Sequence, residues 1–120
     1  MKKLLFIITP ILAIVLSGCE SNTYEDLQDN TPVNGPLTYQ QHIKPIISAN
    51  CIACHTEGGP ASFRPLGSYA ELKNAIQNTD LLERIQKQNG EQGLMPQTGR
   101  MPQASIDRIL EWNTQGLQEN

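Results

Sequence analysis

The stretch YQQHIKPIISANCIACH, residues 39–55, joins a helical pattern of apolar side chains to two cysteines and a histidine. Its isoleucines follow Tyr39 at the spacing of one helix face. Because Pro45 has no N–H to donate, the helix either begins near residues 41–44, with the proline in its first turn, or kinks there. The stretch therefore predicts a short helix that brings both thiols and the imidazole to its end.

Three more helices are predicted downstream. SYAELKNAIQ begins at Ser68, and Glu71 three residues into the helix completes a capping box. TDLLERIQKQ is expected to start at Thr79 or Asp80. ASIDRILEWNTQG should end near Gly116 and has one broad apolar face, formed by Ile106, Ile109, Leu110 and Trp112. No segment alternates with period two, so the predicted fold is all-α with long loops.

The N-terminal stretch MKKLLFIITPILAIVLSGCE, residues 1–20, has the charged and then apolar pattern of a secretory signal peptide. Its apolar run of 13 residues, 4–16, is shorter than the roughly 20 that a membrane-spanning helix needs. LSGC resembles the lipobox of bacterial lipoproteins, which implies that residues 1–18 are removed and that Cys19 is acylated through its sulfur. An ordinary signal peptide that ends near a cysteine is the alternative.

The remaining 102 residues divide into a polar tether and one small domain. They carry seven basic and twelve acidic residues, a formal charge of −5, which gives no electrostatic basis for binding nucleic acid. Residues 19–37 are acidic and contain proline and glycine, and they predict a flexible, lipid-anchored tether. An ordered arm packed on the core is the alternative. Residues 38–120 are long enough for a single small core, which an embedded cofactor would help to fill.

The spacing of Cys51, Cys54 and His55 limits the chemistry of the site. A redox dithiol is expected on a helix that follows a strand, and the sequence predicts no strand before this helix. Structural zinc needs four ligands, and His42 and Cys19 are the only other histidine and cysteine in the chain. Two thiols three residues apart can instead form thioethers to a haem, and the adjacent histidine can bind its iron. Export agrees with this, since c-type haem is attached outside the bacterial inner membrane. The motif therefore predicts one covalent haem c.

With these residues in this order, the region from about residue 37 to 117 resembles a short single-haem c-type cytochrome. The matching segments are YQQHIKPIISANCIACH, PLGSYAEL and LMPQTGRMPQASIDRILEWNTQG. The resemblance implies an N-terminal helix that ends in the haem motif, a Met-Pro loop, and a C-terminal helix that crosses the first. It thus implies a cytochrome c-like domain with haem-enclosing loops.

The second axial ligand of the iron could be Met95, Met101 or His42. Met95 lies in the middle of a loop, whereas Met101 precedes Pro102 and is expected to pack beneath the last helix. His42 is expected at the surface or rim, because the same helix already delivers the first ligand. In the family the ligand is the methionine of a Met-Pro pair upstream of the final helix, which implies Met95.

Several neighbouring residues have two possible roles. Tyr69 either fills the core or bonds a haem propionate, and Arg64 and Arg100 either pair with propionates or are solvated. Either Pro60 or Pro65 could support the imidazole. Trp112 is expected to pack the last helix on the first.

The expected function is one-electron transfer with redox partner proteins. The protein would be an exported lipoprotein of the bacterial cell envelope, at the outer membrane or the periplasmic face of a membrane. The alternative is a haem-based module that binds or senses small ligands through a labile sixth position. No nucleophile with a base and an orienting partner is recognisable, so an enzyme is not predicted.

Overall fold

The computed structural model describes residues 34–120, and this part of the chain is all-α without any β-strand. The helices are α1 (Lys44–Asn50), α2 (Tyr69–Asn78), α3 (Leu81–Gln86) and α4 (Gln103–Thr114). The predicted signal peptide, the acylation site Cys19 and most of the tether lie outside the described residues. Among the described helices, none has the length and apolar character needed to cross a membrane.

A π-helical turn, Tyr39–Ile43, leads directly into α1. The N–H of Lys44 donates to the carbonyl of Tyr39, five residues back. Pro45 has no N–H for the Gln41 carbonyl, and in a regular helix its ring would crowd that carbonyl. The backbone accordingly widens here, and α1 begins with the proline in its first turn, which is one of the two predicted arrangements.

The predicted capping box at the start of α2 is confirmed. Ser68 Oγ accepts from the Glu71 N–H at 3.3 Å, and the Glu71 carboxylate accepts from the Ser68 N–H at 2.9 Å. Both bonds satisfy N–H groups that the first helical turn leaves without a partner. They fix the start of the helix that buries Leu72 and Ile76.

Helix α3 follows almost at once and is short. Asp80 precedes it but makes no capping hydrogen bond, and the Thr79 hydroxyl accepts from the Leu81 N–H at 3.2 Å instead. Ile85 is its buried residue, while Leu81 and Leu82 are half-buried against the core. A long loop then leads to α4.

Helix α4 supplies the centre of the core, as its apolar pattern predicted. Ile106, Ile109 and Trp112 are buried, while Leu110 is half-buried against them. The helix ends at Thr114, and the chain reverses at Gly116, whose φ of +95° is readily available only to glycine.

An aromatic cluster joins the π-helical turn, α2 and α4. The ring centroid of Tyr39 lies 5.6 Å from that of Tyr69 and 6.1 Å from that of Trp112. The indole Nε1 donates to the Gln118 carbonyl at 2.8 Å, and the Tyr69 hydroxyl donates to the Leu117 carbonyl at 2.8 Å. The last helix thus packs on the first segment through Trp112, and Tyr69 has the predicted core role.

Leu37 belongs to the domain, although the sequence analysis placed it in the tether. Its side chain is 1% exposed, and its N–H donates to Gln115 Oε1 at 2.6 Å. Two residues later, the Tyr39 N–H donates to the Gln118 carbonyl at 2.9 Å. The start of the domain is therefore fixed by the segment that follows α4, a contact between chain ends that local sequence does not encode.

Candidate functional site

The two cysteines and the histidine of the predicted cofactor site lie on a helical turn that extends α1. The Cys51 N–H donates to the Ile47 carbonyl at 2.8 Å. The N–H groups of Cys54 and His55 both donate to the Cys51 carbonyl, at 3.2 and 3.0 Å. The turn therefore holds all three side chains on one short piece of ordered backbone.

The two thiols of this turn differ in their surroundings. Both are free; Cys51 is half-buried against the hydrophobic core and Cys54 is exposed. Burial raises the pKa of the Cys51 thiol from 9.0 to about 11, because an apolar environment disfavours the thiolate. One thiol is thus held neutral at the edge of the core, and the other faces solvent.

His55 is oriented by a hydrogen bond from its ring to the backbone. Its Nδ1 lies 2.8 Å from the carbonyl oxygen of Arg64. Because a carbonyl can only accept, the proton of the neutral His55 ring is assigned to Nδ1, and Nε2 then keeps its lone pair. Metal-binding histidines typically have this arrangement, in which the second nitrogen donates to a carbonyl and fixes both the ring and the tautomer.

His42 has the opposite hydrogen bonding. Its Nδ1 accepts from the backbone N–H of Thr38 at 3.0 Å. Because a backbone N–H can only donate, Nδ1 uses its lone pair and the ring proton of neutral His42 is on Nε2. This half-buried histidine therefore caps the π-helical turn, and His55 is the imidazole with a nitrogen ready for a metal.

The loop after His55 folds back tightly on the motif. The Leu66 N–H donates to the His55 carbonyl at 3.0 Å, and a Cβ on Gly59 would overlap the carbonyl oxygen of Cys54. A shallow pocket opens beside the imidazole, and Pro65 is part of its lining whereas Pro60 is not. Pro65 therefore shares this pocket with His55.

The two candidate methionines occupy different environments. Met101 is 2% exposed and packs in the core just before α4, as predicted. Met95 is half-buried in the preceding loop, and its N–H donates to the Arg84 carbonyl at 3.2 Å. Met95 therefore lies in a loop that is hydrogen-bonded to α3 through the Met95 backbone, whereas Met101 belongs to the core.

Arg100 closes this loop, a role that the sequence analysis did not foresee. Its N–H donates to Asn89 Oδ1 at 2.8 Å, and its Nε donates to the Lys87 carbonyl at 3.1 Å. Its guanidinium also donates to Gln103 at 2.6 Å. These bonds connect the two ends of the loop around Met95.

The backbone carbonyl of Arg64 accepts the hydrogen bond from His55. Its guanidinium lies 3.9 Å from Asp80 and 5.8 Å from the centre of the exposed Phe63 ring. Asp80 and Arg84, which adjoin the candidate site, are not identifiable as part of it from the sequence motifs. Their spacing of four residues, typical of a helical ion pair, was the available signal.

The donor set fits a covalently held haem. Two free thiols and an imidazole with an available Nε2 share one turn, and the thioether of Met95 belongs to a separate loop. Within residues 34–120, no three His, Cys, Asp or Glu side chains are grouped so that they could hold a metal ion by themselves. Protein-family models, curated proteins and solved structures give no match to this chain. The function is therefore argued from the site.

Proposed function

We propose that this chain binds one haem covalently through Cys51 and Cys54 and is a membrane-tethered one-electron carrier. The observation that carries the proposal is the hydrogen bond from His55 Nδ1 to the Arg64 carbonyl. It leaves Nε2 free directly after a cysteine pair whose spacing suits two thioether bonds. The local geometry of the turn and the chemistry of the motif support the same ligand.

Each site residue has a distinct role in this proposal. The bound haem would supply the one-electron couple of its iron. Cys51 and Cys54 would hold the cofactor through thioethers, and the His55 imidazole and the Met95 thioether would bind its iron. A thioether favours ferrous iron relative to a second imidazole and so raises the reduction potential.

The proposed carrier exchanges electrons with redox partner proteins while it is anchored in the cell envelope through acylated Cys19. The chain carries more acidic than basic residues, so we propose no nucleic-acid partner. Cell fractionation of the wild type and of Cys19→Ser tests the anchor. The wild type should sediment with membranes and the variant should not be acylated; equal acylation of both would remove the anchor from the proposal.

The purified protein tests the electron-carrier function against the small-ligand alternative. A carrier should show the far-red ferric band of sulfur ligation, a reversible one-electron titration, and slow binding of carbon monoxide. Rapid carbon monoxide binding without the sulfur band would instead favour a sensing module with a labile sixth ligand. No catalytic residue is proposed.

A further inference from the structure

The backbone carbonyls of two arginines accept hydrogen bonds from the two proposed ligand residues, in one case from the side chain and in the other from the backbone. The Arg64 carbonyl accepts from His55 Nδ1 at 2.8 Å, and the Arg84 carbonyl accepts from the Met95 N–H at 3.2 Å. The side chains of both arginines approach one carboxylate, that of Asp80. Its Oδ1 lies 2.8 Å from Arg84 Nε and 3.9 Å from Arg64 Nη1. One acidic side chain therefore contacts the loop after His55, through Arg64, and helix α3, through Arg84, and the Met95 loop is hydrogen-bonded to that helix.

The contact between Asp80 and Arg84 is the stronger half of this arrangement. The Nε atom of Arg84 is buried. Among the described residues, Asp80 is the acidic residue paired with it, and its Oδ1 lies 2.8 Å away. The charge of Asp80 offsets the cost of burying that N–H. The guanidinium also donates to the Gly93 carbonyl at 3.4 Å, two residues before Met95.

The remaining charges of α3 are arranged separately. Glu83 pairs with Lys87 at 3.3 Å, one turn along the same helix. The hydrogen bond from Arg84 is the main cause that lowers the pKa of the Asp80 carboxyl, so the carboxylate is charged at neutral pH. Asp80 thus carries a negative charge between Arg64, in the loop after His55, and Arg84, in helix α3.

We propose that Asp80 is a positioning residue that ties the His55 loop to the Met95 loop through Arg64 and Arg84. The identity of the two loops as ligand carriers rests on the proposed function, whereas the bridge rests on the contacts themselves. Because the ion pairs are largely exposed, the bridge is modest in strength. Its loss should raise the frequency of local opening in both loops without unfolding the domain.

The test uses Asp80→Asn in the full protein as purified from its host. Asparagine is as good a residue as aspartate before a helix, so α3 should keep its start. Glu83→Gln is the matched control, since it removes one negative charge from the same helix but leaves the bridge intact. Hydrogen–deuterium exchange is followed at the Met95 amide and at the Leu66 amide, which donates to the His55 carbonyl.

We expect both amides to exchange about three- to ten-fold faster in Asp80→Asn than in the wild type, and to be unchanged in Glu83→Gln. The ferric sulfur band should weaken and carbon monoxide should bind faster in Asp80→Asn alone. Unchanged exchange in Asp80→Asn, the same increase in Glu83→Gln, or a response of the Met95 amide without the Leu66 amide would overturn the bridge.

The same experiment separates this inference from the proposed function. A purified wild type without covalent haem would refute the proposed function. Faster exchange at both amides of Asp80→Asn in that protein would still support the bridge. A haem-loaded protein in which Asp80→Asn leaves both amides unchanged would refute the bridge and leave the proposed function standing.

Discussion

The Nδ1 atom of His55 lies 2.8 Å from the carbonyl oxygen of Arg64, and this contact determines which ring nitrogen is free. The carbonyl fixes the proton on Nδ1 and makes Nε2 a better electron donor. In His42 the Nδ1 atom accepts from the Thr38 N–H, and the proton is therefore on Nε2. The two histidines thus differ in their backbone partners: the partner of His55 is a carbonyl, which accepts, and the partner of His42 is an N–H, which donates.

The first prediction uses this contrast. His55→Gln should remove the axial nitrogen and convert the ferric absorption spectrum to that of iron without an imidazole ligand. His42→Gln should leave the spectrum unchanged and cost some stability, because the Thr38 N–H loses its acceptor. A spectrum that changes in His42→Gln but not in His55→Gln would show that His42, and not His55, binds the iron.

The second prediction concerns the packing of the loop after the motif. A Cβ on Gly59 would overlap the Cys54 carbonyl and lie 3.1 Å from the Thr56 carbonyl, so Gly59→Ala should destabilise the protein by about 1–3 kcal/mol. Gly67→Ala is the control, because its Cβ would meet only Glu71 Oε2 at 3.6 Å. Thermal unfolding of both variants measures the difference, and equal melting temperatures would contradict the close approach.

The third prediction concerns the thiols before the cofactor is attached. In the haem-free chain at pH 8, iodoacetamide should alkylate Cys54 at least about ten-fold faster than Cys51, because Cys51 is half-buried and its pKa is raised to about 11. The Cys51 rate should rise steeply as the pH approaches 11, since the thiolate is the reactive form.

Peptide mass mapping after timed alkylation measures both rates. Urea provides the control, because unfolding exposes both thiols and should remove the difference. Equal rates at pH 8 without urea would show that Cys51 does not pack at the edge of the core.

Signals that lie within a few neighbouring residues predicted much of this fold. Ser68 and Glu71 form their capping box from residues three apart, and Pro45 acts on its own turn. Trp112 was placed correctly because its helix has a clear apolar face. In each case the physical cause is local, so the residue types are sufficient to reveal it.

The parts that escaped prediction depend on hydrogen bonds that backbone groups make with residues farther away along the chain. The carbonyls of Arg64 and Arg84 accept hydrogen bonds from the two proposed ligand residues, and any residue type has a carbonyl. The core position of Leu37 depends on Gln115, 78 residues away. Such contacts exist only after the chain has folded, and neither composition nor periodicity reports them.

The fourth prediction separates the two methionines. Met95→Ala should abolish the sulfur-to-iron band, lower the reduction potential and open the iron to carbon monoxide. Met101→Ala should leave the band intact and cost about 2–5 kcal/mol of unfolding free energy, because Met101 is 2% exposed in the core. Absorption spectra and thermal unfolding of both variants provide the comparison. Loss of the band in Met101→Ala alone would show that Met101 is the iron ligand and that Met95 is not.

The fifth prediction tests covalent attachment of the haem, on which the whole proposal depends. Cys51→Ala combined with Cys54→Ala removes both proposed thioethers while leaving His55 and its bond to Arg64 in place. The measurement is the intact mass of the denatured, exported protein, compared between the wild type and this double variant. We predict that the wild type carries the added mass of one haem and that the variant carries none. A wild type without the added mass, or a variant that retains it, would contradict the account.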